Sequence, residues 1–580
     1  MSSGSTNPAN TGNTGATSQT ANTSASTITG TSNSGTQGPM QTAQQRDAAR
    51  IDPANVELMR RAGESSREKR KKTFLFPLRI QNDLDFLAKI FRRAPGSTVY
   101  FHDHPPETSV ILPCLPSGGT YRQDIFIDSL SMDWDERVEA AHRTISNEWF
   151  SKFNKVRGPS IANWVSSFRN NHPSEIIGDY YGSFNWSCRV LFKDGVEWLV
   201  RFPVPGQIMD GDEKLRREVA VMRLVRQKTN IPVPKVHAWG LSNDNPLGLG
   251  AFIVMEYIQG ECLGHLWRVG LKERILRPDI SERDLRTVYR QIAGFYLELS
   301  KLEFPNIGSL SIRDDQSIHS ELGPLTLKMQ EIEAHGGVKV GGNRSETFLS
   351  AREYFEYVAK QDMGQLDEQP SSIDDANDAR AKYKFRHQFN AIIPRFIADE
   401  HNQISFRLLC DDFRYGNMII NNARELKIIA VIDWEWAYAA PYQMFCSAPR
   451  WLLIKNPVHW ATPKGSEFDR YNSCLQLFLD ELELEESERN KDKPHKEKLS
   501  DLMRKSLSDG KFWFHELIYD SFTSPDNPAW KAVCDIQPSF EDLAPMLEPD
   551  LDEFVERKMK QLAAYKAECR ARGLSVEAES

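Results

Sequence analysis

The stretches Cys410-Asp411-Asp412-Phe413-Arg414-Tyr415-Gly416-Asn417 and Ile432-Asp433-Trp434-Glu435 decide the fold. In the first, the carboxylate of Asp412 and the amide of Asn417 stand five positions apart, a spacing that lets both side chains lie across one tight loop. In the second, an apolar and β-branched run ends in Asp433, which predicts a carboxylate at the point where a buried strand emerges. Oxygen ligands of this kind are the ones that magnesium prefers.

These groups match the requirements of phosphoryl transfer from ATP. That reaction needs a carboxylate near the acceptor hydroxyl, ligands for Mg²⁺ and cations on the phosphates. The two segments supply the first two of these requirements, and the family resemblance described below implies an ATP- and Mg²⁺-dependent phosphotransferase that acts on a hydroxyl of a small molecule.

Composition narrows the class of protein, its binding partners and its location. The chain has 580 residues, 40% of them hydrophobic and 26% charged, which is typical of a globular protein with more than one domain. A formal charge of -8 argues against a nucleic-acid partner. Eight scattered cysteines without metal spacing indicate reduced thiols. Because the sequence lacks a long apolar run, we expect no membrane partner and a cytoplasmic location.

The N-terminal part divides into two segments. Residues 1–72 form a predicted disordered tail, because residues 1–45 carry no charge and little that could be buried. The tail ends in a basic run, Arg67 to Lys72, which is either a solvated linker or a nuclear-import signal. Residues 73–170 form a predicted extension that is partly helical, with one amphipathic stretch around Trp134 to Phe153.

Residues 171–260 read as a small β-rich lobe. Strand-like runs at Ser183–Phe192 and Glu197–Phe202 flank a turn and predict a hairpin. A helix at about Lys214–Lys228 and a strand at Ala251–Tyr257 follow. This order of elements is that of a kinase N-terminal lobe.

Residues 261–545 read as a larger α-rich lobe, and residues 546–580 as a C-terminal helix or tail. Apolar residues recur at helical spacing over Ser281–Leu302. The polar residues near 363 to 380 predict a surface loop, and Glu485–Lys498 predicts a charged connection between helices.

The paired motifs resemble those of the aminoglycoside phosphotransferase and choline kinase family, a relative of the protein kinases. The resemblance extends over about residues 176–530 and implies an α+β, protein-kinase-like fold of two lobes, preceded by the disordered tail. It implies that Asp412 is the catalytic base, that Asn417 and Asp433 hold Mg²⁺, and that Arg414 faces the transferred phosphate.

The same resemblance implies a nucleotide site between the lobes. Arg201 would contact the phosphates, with Glu218 as its ion-pair partner. The turn at Gly182 and Ser183 would cover the phosphates. The backbone of Met255, Glu256 and Tyr257 would meet adenine.

One departure from the family pattern leaves a second hypothesis open. The family usually reads His-Gly-Asp where this chain reads Cys410-Asp411-Asp412. Cysteine is compatible with activity, but the change also fits a pseudokinase that binds nucleotide or a partner without catalysis. A protein kinase ranks last, because Asp-Phe-Gly and Ala-Pro-Glu are missing.

Three further points stay at the level of residue patterns. The identity of the acceptor and the oligomeric state are not readable from the sequence. Cys410 is interpreted as a packed thiol rather than a nucleophile. Aromatic residues after Asp433 are interpreted as core, with a cage for a quaternary ammonium as the alternative: Trp434, Trp436, Tyr438, Tyr442, Phe445, Trp451 and Phe512–Phe514.

Overall fold

The computed structural model describes residues 134–270, 274–403, 406–489, 497–536 and 548–574. The predicted disordered tail, the extension as far as residue 133 and the basic run at 67–72 lie outside these ranges. Among the helices of the described ranges, none combines the length and apolar character that a membrane crossing requires.

Two helices of the extension and a five-stranded sheet make up the small lobe. The helices are α1 (Glu136–Val156) and α2 (Pro159–Ser167). The strands are β1 (Ser174–Tyr181), β2 (Asn185–Phe192), β3 (Glu197–Pro203), β4 (Val236–Gly240) and β5 (Phe252–Glu256), and α3 (Gly211–Lys228) lies between β3 and β4. The sheet order is β1-β2-β3-β5-β4, and every neighbouring pair is antiparallel.

Local sequence explains most of these elements. Gly195 adopts a φ of 83° in the turn between β2 and β3, a conformation that favours glycine. The Asp210 side chain caps α3 by accepting from the backbone N–H of Glu213 at 2.9 Å. The predicted hairpin, helix and strand are confirmed with boundaries shifted by a few residues, whereas the pattern did not predict β4.

One face of the sheet packs on the extension. Trp149 and Phe153 of α1 join Cys188, Val190 and Phe202 of the sheet in one buried cluster. Arg201 lies on the opposite face, which turns toward the second lobe. The extension is therefore part of the small lobe's core.

The large lobe is mainly helical with short strands. Its first half contains β6 (Glu261–Cys262), α4 (Leu263–Trp267), α5 (Glu282–Leu299), β7 (Glu303–Phe304), β8 (Ser309–Ile312), β9 (Ile318–Leu322), α6 (Leu327–Glu331), α7 (Ala351–Glu368) and α8 (Ala376–Phe396). Its second half contains β10 (Phe406–Cys410), β11 (Met418–Ile420), β12 (Ile428–Val431), β13 (Ala437–Ala440), α9 (Tyr442–Phe445), α10 (Ser466–Arg489), α11 (Leu499–Ser508), α12 (Lys511–Tyr519), α13 (Pro528–Ile536) and α14 (Glu548–Ala571). A π-helical turn, Ile332–Gly336, directly continues α6.

The prediction of a surface loop near residues 363 to 380 is wrong for most of that range. Helix α7 continues to Glu368 and α8 begins at Ala376, so only a short connection lies between them. Part of the polar set is buried: Gln365 Nε2 donates to Gln369 Oε1 at 2.9 Å, and Lys382 Nζ donates to Ser372 O at 2.9 Å. The polar composition suggested a surface loop, but in the structure these polar groups form their hydrogen bonds within the protein.

The aromatic residues after Asp433 are core. Trp434 and Trp436 are at most 1% exposed, and Phe512 and Phe514 are equally enclosed. This confirms the interpretation as packing for the set as a whole. Trp451 also reaches the cleft between the lobes.

Candidate active site

The segment after β10 forms one closed loop. Asn417 Nδ2 donates to the carboxylate Oδ2 and to the backbone oxygen of Asp412, both at 2.8 Å. Arg414 Nε donates to Asp412 Oδ1. A Cβ at Gly416 would meet the Arg414 guanidinium, so a larger residue there would displace this arginine from Asp412. Asp412 is thus held by an amide and a guanidinium at the mouth of the cleft.

Asp433 meets this loop through the backbone. The N–H of Ile432 donates to Asn417 O at 2.9 Å, which places the two predicted metal ligands side by side in the chain fold. Asp433 itself has a φ of 62°. A non-glycine residue in this conformation is uncommon and is found where the surrounding structure imposes it, often at functional sites.

Arg201 connects the two lobes at the same point. Its guanidinium bonds to Asp433 Oδ1 at 2.8 Å and forms the predicted ion pair with Glu218 of α3. The side chains of Arg201 and Glu218 are 6% and 1% exposed, so water screens this pair weakly. Burial lowers the pKa of Arg201 while the carboxylates raise it, and the net shift is upward.

A second buried cation was missed by sequence reasoning. Lys214 of α3 forms an ion pair with Glu435, and it donates to Asn185 Oδ1 at 2.9 Å. Asn185 Nδ2 in turn donates to Glu435 Oε2 at 3.0 Å. Burial raises the pKa of Glu435 to about 7, against the opposing effect of Lys214. The spacing of Lys214 four residues before Glu218 was the available signal.

Three carboxylates beside the cleft, of which Asp433 lines it, lie close enough together to share a divalent cation. Oxygens of Glu218, Asp433 and Glu435 lie within 4.8 Å of one another. Glu218 Oε2 is buried without a hydrogen-bond donor among the described residues. Hard divalent cations take oxygen ligands of this type.

The cleft between the lobes has a volume of about 440 Å³. Gly182 and Ser183, the predicted phosphate turn, lie in its wall on the small-lobe side, and Gly182 N–H donates to Asn185 O at 2.9 Å. The wall on the large-lobe side contains Asp411–Asn417 and Asp433. The structure therefore brings the predicted catalytic, metal and phosphate-turn residues to one cavity.

The predicted adenine-binding segment lies elsewhere. Met255, Glu256 and Tyr257 are not among the residues that line this cleft. The N–H of Glu256 donates to Lys235 O at 2.8 Å, and that of Tyr257 to Glu197 O at 3.3 Å. Both N–H groups thus donate within the protein, and the predicted contact with adenine stays a prediction.

Cys410 lies behind the catalytic loop. Its thiol is buried, with Sγ 3.7 Å from Asp433 O, and burial raises its pKa well above the ordinary value. Such a thiol is a poor nucleophile at neutral pH. The interpretation as a packed thiol agrees with this environment.

Asp411 is the unusual charge of the loop. Its Oδ2 accepts from Leu327 N–H at 3.1 Å, whereas Oδ1 is buried without a hydrogen-bond donor in the described ranges. Burial raises the pKa of Asp411 to about 7, with Asp412 adding to the rise. Glu331 of α6 shares the cleft, and burial raises its pKa to about 7 as well.

Asp411→Asn is expected to change the pH dependence of stability. The folded pKa lies above the unfolded one, so ionisation of Asp411 costs the folded state stability as pH rises from about 4 to about 7. The asparagine variant lacks this loss and should gain on the order of 2 kcal/mol relative to wild type over that interval. Urea unfolding at pH 4.5 and pH 7.5 measures it, and a constant difference between the two proteins would contradict it.

Comparison with known proteins agrees with this geometry. Residues 185–443 match the model of the phosphotransferase enzyme family. A protein of Debaryomyces hansenii named altered inheritance of mitochondria protein 9, mitochondrial, is 28% identical over 191 residues, which cover 31% of this chain and 29% of the relative. The protein of the same name from Meyerozyma guilliermondii is 34% identical over 201 residues, 32% of this chain and 31% of the relative.

The matches thus span about a third of these relatives' length. Among solved structures, Plasmodium vivax ethanolamine kinase aligns with a TM-score of 0.33 at 12% identity, covering 68% of this chain and 81% of its own. A score of this size adds nothing to the sheet order and loop geometry described above. Over residues 185–443 the chain is therefore similar to the phosphotransferase enzyme family, and the paired Asp412–Asn417 and Asp433 segments lie within that match.

Proposed function

We propose that this protein transfers a phosphoryl group from ATP to a hydroxyl of a small molecule with the help of Mg²⁺. The observation that carries the proposal is the convergence of Asp412, Asn417 and Asp433 on one cleft between the lobes, with the buried Arg201 bonded to Asp433 behind the cleft wall. Phosphoryl transfer depends on such positioning and charge stabilisation more than on covalent chemistry by the protein.

Each residue has a definite task in this proposal. Asp412, oriented by Arg414 and Asn417, accepts the proton of the acceptor hydroxyl. Asp433 and Asn417 would hold Mg²⁺, which when bound offsets charge on the phosphates. Arg201 and Arg414 add fixed positive charge at the phosphate end of the cleft. Gly182 and Ser183 close the cleft from the small lobe.

Release of ADP by the purified full chain tests the proposal. The protein would be incubated with ATP, Mg²⁺ and a metabolite extract, and Asp433→Ala would serve as the comparison. We expect at least one metabolite to gain phosphate with wild type only, because Asp433 would hold the metal and also bonds to Arg201. Identical metabolite profiles with and without wild-type protein would reject the proposal.

A catalytically inactive nucleotide- or partner-binding protein is the second candidate. It is favoured by Cys410-Asp411, which stand where the family usually reads His-Gly before the predicted catalytic Asp412. Tight nucleotide binding without ADP release, across the same extract, would favour this candidate.

The cellular location is open to a direct test. The sequence predicts a cytoplasmic protein, whereas the yeast relatives carry the word mitochondrial in their names. Fluorescence microscopy of the tagged full chain distinguishes these locations.

A further inference from the structure

The extension before the family-matching region reaches the cleft. Trp134, its first described residue, is part of the cleft wall, together with Glu331, Asp520 and Phe522 of the large lobe. The family match begins only at residue 185. A residue from outside the matched domain therefore contributes surface to the cavity that contains Asp412.

Trp134 is held in place by a stacked ring. Its indole lies on the imidazole of His335, with ring centroids 4.1 Å apart and planes inclined by 10°. His335 is 7% exposed, and its Nδ1 lies 2.7 Å from Glu139 Oε1 of α1. The N–H of Asp135 donates to His335 O at 2.9 Å. The ring of Trp134, the side chain of Glu139 and the backbone of Asp135 all bind His335 and so hold this part of the extension against the π-helical turn.

The C-terminal helix anchors the same point from the other side. Glu136 N–H donates to the Tyr565 hydroxyl at 3.0 Å, and Arg137 forms an ion pair with Glu568 at 2.6 Å. Arg137 also pairs with the Asp135 carboxylate, which is 2% exposed. Helix α14 thus holds the N-terminal end of α1, and this end of α1 in turn contacts the turn Ile332–Gly336.

That turn continues α6, a helix of the large-lobe wall of the cleft. Helix α6 contributes Glu331 to the cleft, and its first N–H, on Leu327, donates to Asp411. The Glu331 carboxylate accepts from the Ser521 hydroxyl. Trp134 is stacked on His335, four residues beyond Glu331, and thus lies at the large-lobe wall, whereas the predicted phosphate contacts Gly182 and Ser183 lie on the small-lobe side. We therefore take the large-lobe wall as the side that receives the acceptor.

We propose that Trp134 is a specificity-determining residue for the acceptor, supplied to the cleft by the extension and held there by α1 and α14. This inference rests on the proposed phosphotransferase function. The indole is a rigid wall of large area, so its removal enlarges the acceptor side of the cleft and takes away contact surface. Nucleotide contacts on the small-lobe side are left intact.

The test compares Trp134→Ala and Trp134→Phe with Phe168→Ala in the full chain. Phe168 is an aromatic residue of the same extension, 39% exposed, that contacts Trp164 and Phe252 and does not line the cleft. Thermal shifts would be recorded with a panel of ethanolamine, choline, homoserine, glucosamine, glucose and glycerol, and ADP release would be measured with the same compounds. Trp134→Phe keeps an aromatic ring at this position, so the test remains informative if Trp134→Ala does not fold.

We expect at least one compound to bind wild type and Phe168→Ala but to bind Trp134→Ala at least tenfold more weakly, with Trp134→Phe in between. The KM for ATP should stay within twofold in all variants. If no compound distinguishes Trp134→Ala from wild type, or if Phe168→Ala changes acceptor and ATP binding as strongly, the inference is overturned. Trp134-dependent binding without ADP release would reject the proposed function, and with it the role toward an acceptor, while showing that Trp134 binds ligand in this cleft.

Discussion

Asp412→Asn is expected to lower the rate of acceptor phosphorylation by roughly 10²–10⁴-fold, the contribution of a positioned general base. The amide keeps the shape of the side chain but cannot accept the hydroxyl proton. Asn417 and Arg414 both bond to Asp412, so the loop loses a charge as well as a base. We expect nucleotide affinity to change far less than turnover, because Arg201, Glu218 and the Gly182 turn are untouched.

The measurement is single-turnover transfer of labelled phosphate from ATP, with any acceptor found in the extract assay. Asp279→Asn is a suitable control, because Asp279 is an exposed carboxylate that pairs with Arg277 away from the cleft. Equal rates for wild type and Asp412→Asn would exclude Asp412 as the base. Loss of nucleotide binding in Asp412→Asn would instead indicate that the loop has a structural role.

Arg201→Ala is expected to lower the free energy of unfolding by roughly 3–5 kcal/mol, the typical cost of breaking a buried ion pair. The substitution removes the partner of Glu218, which is 1% exposed, and of Asp433. Lys214 remains, but it already pairs with Glu435. Arg201→Lys should lose less, because it keeps the charge while losing the two-pronged geometry.

Urea unfolding of the full chain measures this difference. The matched control is Arg313→Ala, which breaks an exposed pair with Glu321 and should cost roughly 0–1 kcal/mol. A loss equal to that of Arg313→Ala would contradict the proposed role of the buried network.

Both predictions concern residues that the sequence already singled out. Asp412 and Asn417 are five positions apart, so the loop between them could be predicted from spacing alone. The partnership of Arg201 with Glu218 was implied by the family resemblance, and the structure confirms it. Short-range patterns of this kind carry their own geometry.

Other parts of the site depended on contacts between distant segments. The pairing of Lys214 with Glu435 and the bond from Leu327 to Asp411 have no local signature. The polar run near residues 363 to 380 misled the pattern, because its hydrogen-bond partners lie within a helix pair that only folding creates. Composition cannot tell a satisfied buried amide from an exposed one.

By itself, the sequence determined the order of the lobes, the catalytic loop, the metal-ligand candidates and the buried aromatic core. The tertiary structure alone decided which residues from distant segments are in contact. Asp411 accepts from the first N–H of α6, and Trp134 stacks on His335 in the cleft wall. The physical reason is that spacing along a helix, strand or turn is set by backbone geometry. The contact of Trp134 with His335, and that of Glu136 with Tyr565, are set by how separate helices pack, which no local pattern encodes.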